Sequence, residues 1–209
     1  MTQQIFIDSD TEDKTTLTNV VAAVNLFLGK LKPTVKAFMG TPLHSDPATL
    51  LVHITQDKRH RGASGCHILL NGEPVAYCLA NEAGLVYGHH SPKTSTHSEL
   101  FTPSVVATVC HEIAEMLTDG NIATYTAPDS YGNCWLLEPC DWVFGEFWTA
   151  TVNGHLCVFP NVALDSYHDL KGKAPFDLMG LVTAPFQRTP KGYAYYLDPA
   201  TKKLLPVTY

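Results

Sequence analysis

The chain has 209 residues, 45% of them hydrophobic and 16% charged, with a formal net charge of −6. That is ample apolar material for one compact domain, 1–209, with two lobes around a cleft. An acidic balance without a basic run argues against nucleic acid as a partner. No eighteen-residue apolar stretch and no charged-then-apolar leader occurs, so neither a transmembrane segment nor a signal peptide is expected.

Residues 4–7 read as a first strand. Residues 17–31 carry apolar side chains at helical spacing (Val20, Val21, Val24, Phe27, Leu31) until Pro33 stops them. Residues 34–38 are strand-like, 40–47 a polar loop, and 50–54 a further apolar run. Two strands, 66–70 and 74–79, flank Asn71-Gly72, a strong hairpin signal. A polar loop at 88–99 holds His89, His90 and His97, whose spacing matches no metal-ligand pattern and which read as solvated loop residues. A helix over 102–120 follows, with Thr102 as N-cap, Pro103 at the first helical position and Gly120 at the C-terminus. Beyond it come a loop at 121–133 and a hairpin of 147–152 with 155–159 across Asn153-Gly154. An aperiodic tail begins at Pro160. The plan is α+β: an upper lobe at about 1–119 ending in a central helix, and an irregular lower lobe at about 120–209. The six cysteines (66, 78, 110, 134, 140, 157) are too scattered for a zinc ribbon or a disulfide scaffold. Reduced thiols are expected, although Cys134 and Cys140 are near enough in sequence to bridge.

The central helix carries the chemistry. Val106, Val109, Cys110, Ile113, Met116 and Leu117 form a buried stripe, while Thr108, His111, Glu112, Glu115 and Asp119 share another face. His111 and Glu115 are one turn apart and can reach the same ion, with Glu112 beside them to touch a water. No cation on that stripe neutralises the two carboxylates, and a divalent metal would. The alternative is a solvated acidic face. Among the downstream carboxylates, Asp119 lies about 6 Å further along the axis than Glu115 at 1.5 Å per residue, which suits capping or support of His111. Asp129 reads as a turn residue. Glu138 sits among Trp135, Leu136, Leu137, Pro139 and Cys140, where an unpaired charge is expensive. Glu138 is therefore the expected third ligand and Asp141 the runner-up. The competing reading pairs Glu138 with a nearby Lys or Arg.

On His111, Glu112 and Glu115, with Thr118-Asp119 and Glu138-Pro139-Cys140, the chain resembles the zincin-like metallopeptidases. It is most similar to bacterial and phage-encoded hydrolases built on His-Glu-x-x-Glu. The segment from Pro175-Phe176-Asp177 to Tyr193 is similar to the closing segment of such proteins, and the return of 23 residues from Glu115 to Glu138 resembles their third-ligand spacing. The resemblance implies a zincin-like fold: a mixed-sheet lobe packed on the metal-binding helix, with a cleft below. It also implies a Zn2+ ion, Glu112 as general base and a peptide or protein substrate. That substrate would be added as a strand along the hairpin at 66–79. With no signal peptide or transmembrane segment expected, the expected location is cytoplasmic or virion-associated. Most zincins place a second His where this chain has Glu115. A less acidified water, or a harder ion such as Mn2+, is the consequence. The same departure leaves open a non-catalytic structural or binding protein that keeps the fold. Tyr125, Tyr131, Tyr167, His155 and His168 are candidates for an oxyanion donor. Trp135, Trp142, Phe144, Phe147 and Trp148 are expected to pack the lower lobe.

Overall fold

Asp13 sets the first helix. Its carboxylate accepts hydrogen bonds from the Thr15 and Thr16 amides at 2.7 and 2.9 Å, so α1 (Lys14–Leu31) begins three residues before the apolar periodicity does. The structure is a computed structural model that describes residues 3–41, 49–57, 64–80, 86–87, 104–119, 124–126 and 132–207. Helix α1 lies between β1 (Gln4–Ser9) and β2 (Lys36–Met39). Then follow β3 (Thr49–Thr55), β4 (Gly65–Leu70), β5 (Glu73–Leu79) and the second helix α2 (Val105–Thr118).

The five strands form one mixed sheet in the order β2-β1-β3-β5-β4. All neighbours are parallel except β4, which runs antiparallel to β5 at the edge. Asn71 and Gly72 join these two strands with both residues at positive φ, 55° and 86°, the twist a two-residue hairpin needs. Alternation gives the sheet two unlike faces. Ile5, Ile7, Leu50, Val52, Ile54, Ala76 and Cys78 are buried under α1 and α2, whereas Phe6, Leu51, His53 and Tyr77 on the other face stay half-buried. Register places His67 opposite Ala76, so its side chain shares the helix-covered face.

Helix α2 is central. Eleven of its fourteen residues are buried, against the sheet on one side and against β8 on another. Its start differs from the sequence expectation. The N-cap is Ser104, in extended conformation, whose hydroxyl accepts from the Ala107 amide at 3.1 Å. Serine caps more strongly than threonine, and the helix therefore opens two residues later than Thr102 would have it. Thr102, Pro103 and Gly120 lie outside the described residues, as do most of the 40–47 loop and the 88–99 loop with His89, His90 and His97.

The chain beyond α2 builds two things. Strands β7 (Phe147–Val152) and β8 (His155–Pro160) form the expected hairpin, which returns to the upper core. There Phe159 is fully buried, stacked between Trp148 at 4.3 Å and Phe27 at 6.3 Å. Trp148 thus packs on the upper core and not with the lower aromatics. The second core gathers Trp142, Val143, Tyr167, Phe176 and Val182 with Trp135 and Phe186 against them. Two strands of the aperiodic tail, β9 (Tyr195–Leu197) and β10 (Leu204–Pro206), join β6 (Cys134–Trp135) in a small three-stranded sheet in the order β10-β9-β6. All six cysteines are free thiols, Cys134 and Cys140 included. Among the described residues no helix is long and apolar enough to cross a membrane.

Phe159→Ala removes the ring that joins the hairpin to α1. It is expected to cost about 3–5 kcal/mol in urea unfolding. A loss below about 1 kcal/mol would mean the hairpin is not part of the upper core.

Candidate metal centre

Three elements deliver acidic and imidazole groups to one place beneath the sheet. Helix α2 contributes His111, Glu112 and Glu115, strand β4 contributes His67, and the turn after β6 contributes Glu138, Cys140 and Asp141. Glu115 Oε1 lies 2.9 Å from His111 Nε2, and Asp141 Oδ1 lies 3.4 Å from the same nitrogen. On the other side, Glu115 Oε2 is 3.6 Å from His67 Nδ1, Glu112 Oε2 is 3.2 Å from that nitrogen, and Glu138 Oε2 is 4.0 Å from His67 Nε2. The Cys140 thiol groups with His111 and Glu115, within 4.8 Å of their ligand atoms, but it is directed to the His111 carbonyl at 3.8 Å.

The helix face expected to be either solvated or metal-binding is therefore not solvated. Glu112 and Glu115 are each 4% exposed. Burying one unpaired carboxylate costs several kcal/mol, far more than a surface ion pair returns. Among the described residues, only His67 and His111 stand within ion-pair distance of Glu112, Glu115, Glu138 and Asp141. Glu138 thus has no Lys or Arg partner there. Four buried atoms in the cluster lack a hydrogen bond of proper geometry: His67 Nε2, Glu115 Oε1, Glu138 Oε2 and Asp141 Oδ1. Orphaned oxygens and an imidazole nitrogen turned toward one another are the donor chemistry of a divalent cation. The residues fit such an ion.

Asp119 has a different task. It caps the C-terminus of α2, and both its oxygens accept the Thr124 amide, at 2.9 and 3.0 Å. His67 was not legible as a site residue, since a lone His on an edge strand reads as ordinary sheet. Only the β4–β5 register, which fixes its face, reveals it.

A cleft of about 300 Å3 opens beside the cluster, bordered by Ser64 and Gly65, by Thr108, His111 and Glu112, and by Phe144, Phe147 and Tyr193. Phe144 and Phe147 thus face the cleft instead of packing the lower lobe. Gly65 is required by close approach: a Cβ there would fall 2.5 Å from Glu112 Oε1 and 2.6 Å from Thr108 Cγ2. Tyr193 stands beside Asp141, and burial, followed by that carboxylate, pushes its phenol well above the ordinary range. The four expected oxyanion donors that are described do not line this cleft. Tyr167 is buried in the lower core and donates to the Gln187 carbonyl. His168 packs edge-on to Trp142, and burial pulls its pKa down to about 4. His155 stacks on Tyr87 at 4.1 Å, Tyr125 bridges to Leu136, and Tyr131 lies outside the described residues, as does Asp129.

Comparison with family models, with curated proteins and with solved structures returned no match.

The electrostatics of the cluster give a pH dependence. Burial raises the Glu115 carboxyl from 4.5 to about 8, with Glu112 and Asp141 adding to the rise and His111 opposing it. Burial, then Glu115, raises Glu138 to about 9. Burial disfavours charge on both imidazoles, but the carboxylates outweigh it. His67 rises through its bond to Glu112 and the charge of Glu138, and His111 rises further through Glu115, Cys140 and Asp141. All four groups hold protons more tightly folded than unfolded, so their contribution to stability is present below about pH 4.5 and is lost as pH rises through their folded values. Protein kept in a chelator should lose melting temperature steadily from about pH 5 to about pH 9. Saturating Zn2+ or Mn2+, which needs the deprotonated donors, should flatten or reverse that slope and release protons on binding. Identical profiles with and without the cation would remove the metal reading.

Gly65→Ala tests the contact between strand and helix. It is expected to displace Glu112 and lower the melting temperature, whereas Gly29→Ala, where an added Cβ meets nothing within 4 Å, should not lower it. Equal effects would show that the approach of β4 to α2 is not tight.

Proposed function

We propose that this protein is a metal-dependent hydrolase that cleaves peptide bonds, built on a zincin-like plan. One divalent cation, Zn2+ or a harder ion such as Mn2+, is held by His111, Glu115 and a carboxylate of the 138–141 turn. The observation that carries the reading is the set of buried, orphaned donors around His111 and Glu115 at the edge of a cleft. Asp141 offers His111 the nearer carboxylate of the turn, with Oδ1 3.4 Å from Nε2, while the ligand atoms that lie within 4.8 Å of one another around His111 and Glu115 include Cys140 and not Asp141. Glu138, the expected third ligand, stands on the His67 side of Glu115. Cys140 is close, but its thiol hydrogen is committed to a backbone carbonyl.

When bound, such an ion supplies Lewis acidity, lowering the pKa of water and polarising a carbonyl. The chain's own groups do the rest. Glu112 borders the cleft beside His111 and is the base that takes a proton from the attacking water and returns it to the leaving amine. His67, 3.2 Å from Glu112 Oε2, fixes the orientation of that carboxylate. The Tyr193 phenol, held protonated at the cleft wall, can donate to an oxyanion. Strand β4 is the edge of the sheet among the described residues, and Ser64 and Gly65 at its start border the cleft. An extended peptide added along that edge would carry its carbonyl past His111 and Glu112, with Phe144 and Phe147 contacting its side chains.

Two substitutions separate ligand from base. His111→Ala is expected to abolish binding of the cation and the thermal stabilisation that comes with it. Glu112→Gln should keep both while lowering turnover of a mixed peptide pool by at least about a hundredfold. Wild-type protein that binds no stoichiometric Zn2+ or Mn2+ would sink the proposal. Equal turnover in wild type and Glu112→Gln would move the protein to the non-catalytic class.

A further inference from the structure

We infer that the cluster is a binuclear centre, with a second divalent cation held by His67 and Glu138 and the Glu115 carboxylate bridging the two ions. This rests on the proposed metal site and extends it. The donors fall into two groups of different origin. His67, Glu115 and Glu138 offer ligand atoms that all lie within 4.8 Å of one another, and so do His111, Glu115 and Cys140. Glu115 is the shared member, and its two oxygens face opposite ways, Oε1 toward His111 and Oε2 toward His67. A carboxylate so placed can give one oxygen to each ion, as in two-metal sites whose ions stand about 3.5–4 Å apart.

The His67 ring is set up as a ligand. Its side chain is only 7% exposed, and Nδ1 is 3.2 Å from Glu112 Oε2. With the Nδ1 proton donated to Glu112, the neutral ring presents a bare lone pair at Nε2, the atom that has no hydrogen-bond partner. A carboxylate behind a ligating histidine is the usual way its tautomer and orientation are fixed. Glu138 Oε2, also orphaned, lies 4.0 Å from Nε2, close enough for one cation to be bonded to both. The orphans divide evenly, with His67 Nε2 and Glu138 Oε2 on one side and Glu115 Oε1 and Asp141 Oδ1 on the other.

Charge leads to the same result. Glu112, Glu115, Glu138 and Asp141 carry four negative charges when ionised, and no described Lys or Arg reaches them. One divalent cation with neutral imidazoles leaves two charges buried and uncompensated. Two divalent cations balance those four, and the nearby buried Asp119 is served by the Thr124 amide. With one imidazole and carboxylate oxygens on each side, the donor set suits Mn2+ as well as Zn2+.

The test is metal stoichiometry on full-length protein stripped with chelator and titrated with Mn2+ or Zn2+. Wild type is expected to bind two equivalents, and His67→Gln and Glu138→Gln one each. Mn2+-loaded wild type should give the electron paramagnetic resonance signal of an exchange-coupled pair, replaced by an isolated-ion signal in both variants. Far-UV circular dichroism checks folding, and the half-buried Glu138 carries the test should the strand variant fail to fold. One equivalent in wild type, unchanged in both variants, overturns the second ion and leaves the mononuclear proposal standing. Two equivalents that survive both substitutions overturn the assigned ligands. No bound metal overturns both proposals together.

Discussion

The burial of the acidic face of α2 is the constraint on which the structure turns. A helix that places His111, Glu112 and Glu115 under a sheet incurs a desolvation cost that apolar packing alone does not return. Around it the molecule brings an imidazole and further carboxylates from distant parts of the chain: His67 from 45 residues before Glu112, and Glu138 and Asp141 from the turn after it. The apolar residues of α2 fix where the helix lies, through Val106, Val109, Cys110 and Ile113, all fully buried. Its polar residues fix what has to surround it.

The irregular lower lobe takes its meaning from that requirement. The turn that carries Glu138, Cys140 and Asp141 is held by its backbone. The Ala163 amide donates to the Pro139 carbonyl at 2.9 Å, the Tyr193 amide to the Asp141 carbonyl at 2.9 Å, and the Asp141 amide to the Glu138 carbonyl at 3.1 Å. Trp142 follows immediately, 1% exposed, its indole donating to the Leu136 carbonyl at 3.3 Å. The second core thus grips the turn one residue past its last donor. With the backbone satisfied internally, the side-chain donors are left to face the cluster on a rigid support.

Local signals in the sequence were legible where the physics is local. Asn71-Gly72 and Asn153-Gly154 marked both hairpins, because only a few residue pairs tolerate two successive positive φ angles. The spacing of His111, Glu112 and Glu115 showed that they share a face. What escaped the reading depends on register and on long-range packing. His67 has the neighbours of any edge-strand residue, and its role follows only from the pairing that turns it toward Ala76 and the helix. Tyr193 belongs to a segment with no periodicity, and the cleft wall is formed only when that segment folds over Trp142. Which histidine Glu138 and Asp141 each approach depends on packing in the same way. Three residues apart on a tight turn, they approach different histidines, Glu138 His67 and Asp141 His111.

Glu115 itself is the most informative residue of the motif. A histidine at this position would offer one lone pair in its neutral form and could serve one partner. A carboxylate offers two oxygens whose lone pairs diverge, and here each oxygen faces a different histidine. In a centre with a single ion the second oxygen would be a buried acceptor whose partner is His67, already engaged by Glu112. In a centre with two ions neither oxygen is redundant. A glutamate here, where a histidine would serve one ion only, is what a bridged pair of ions requires.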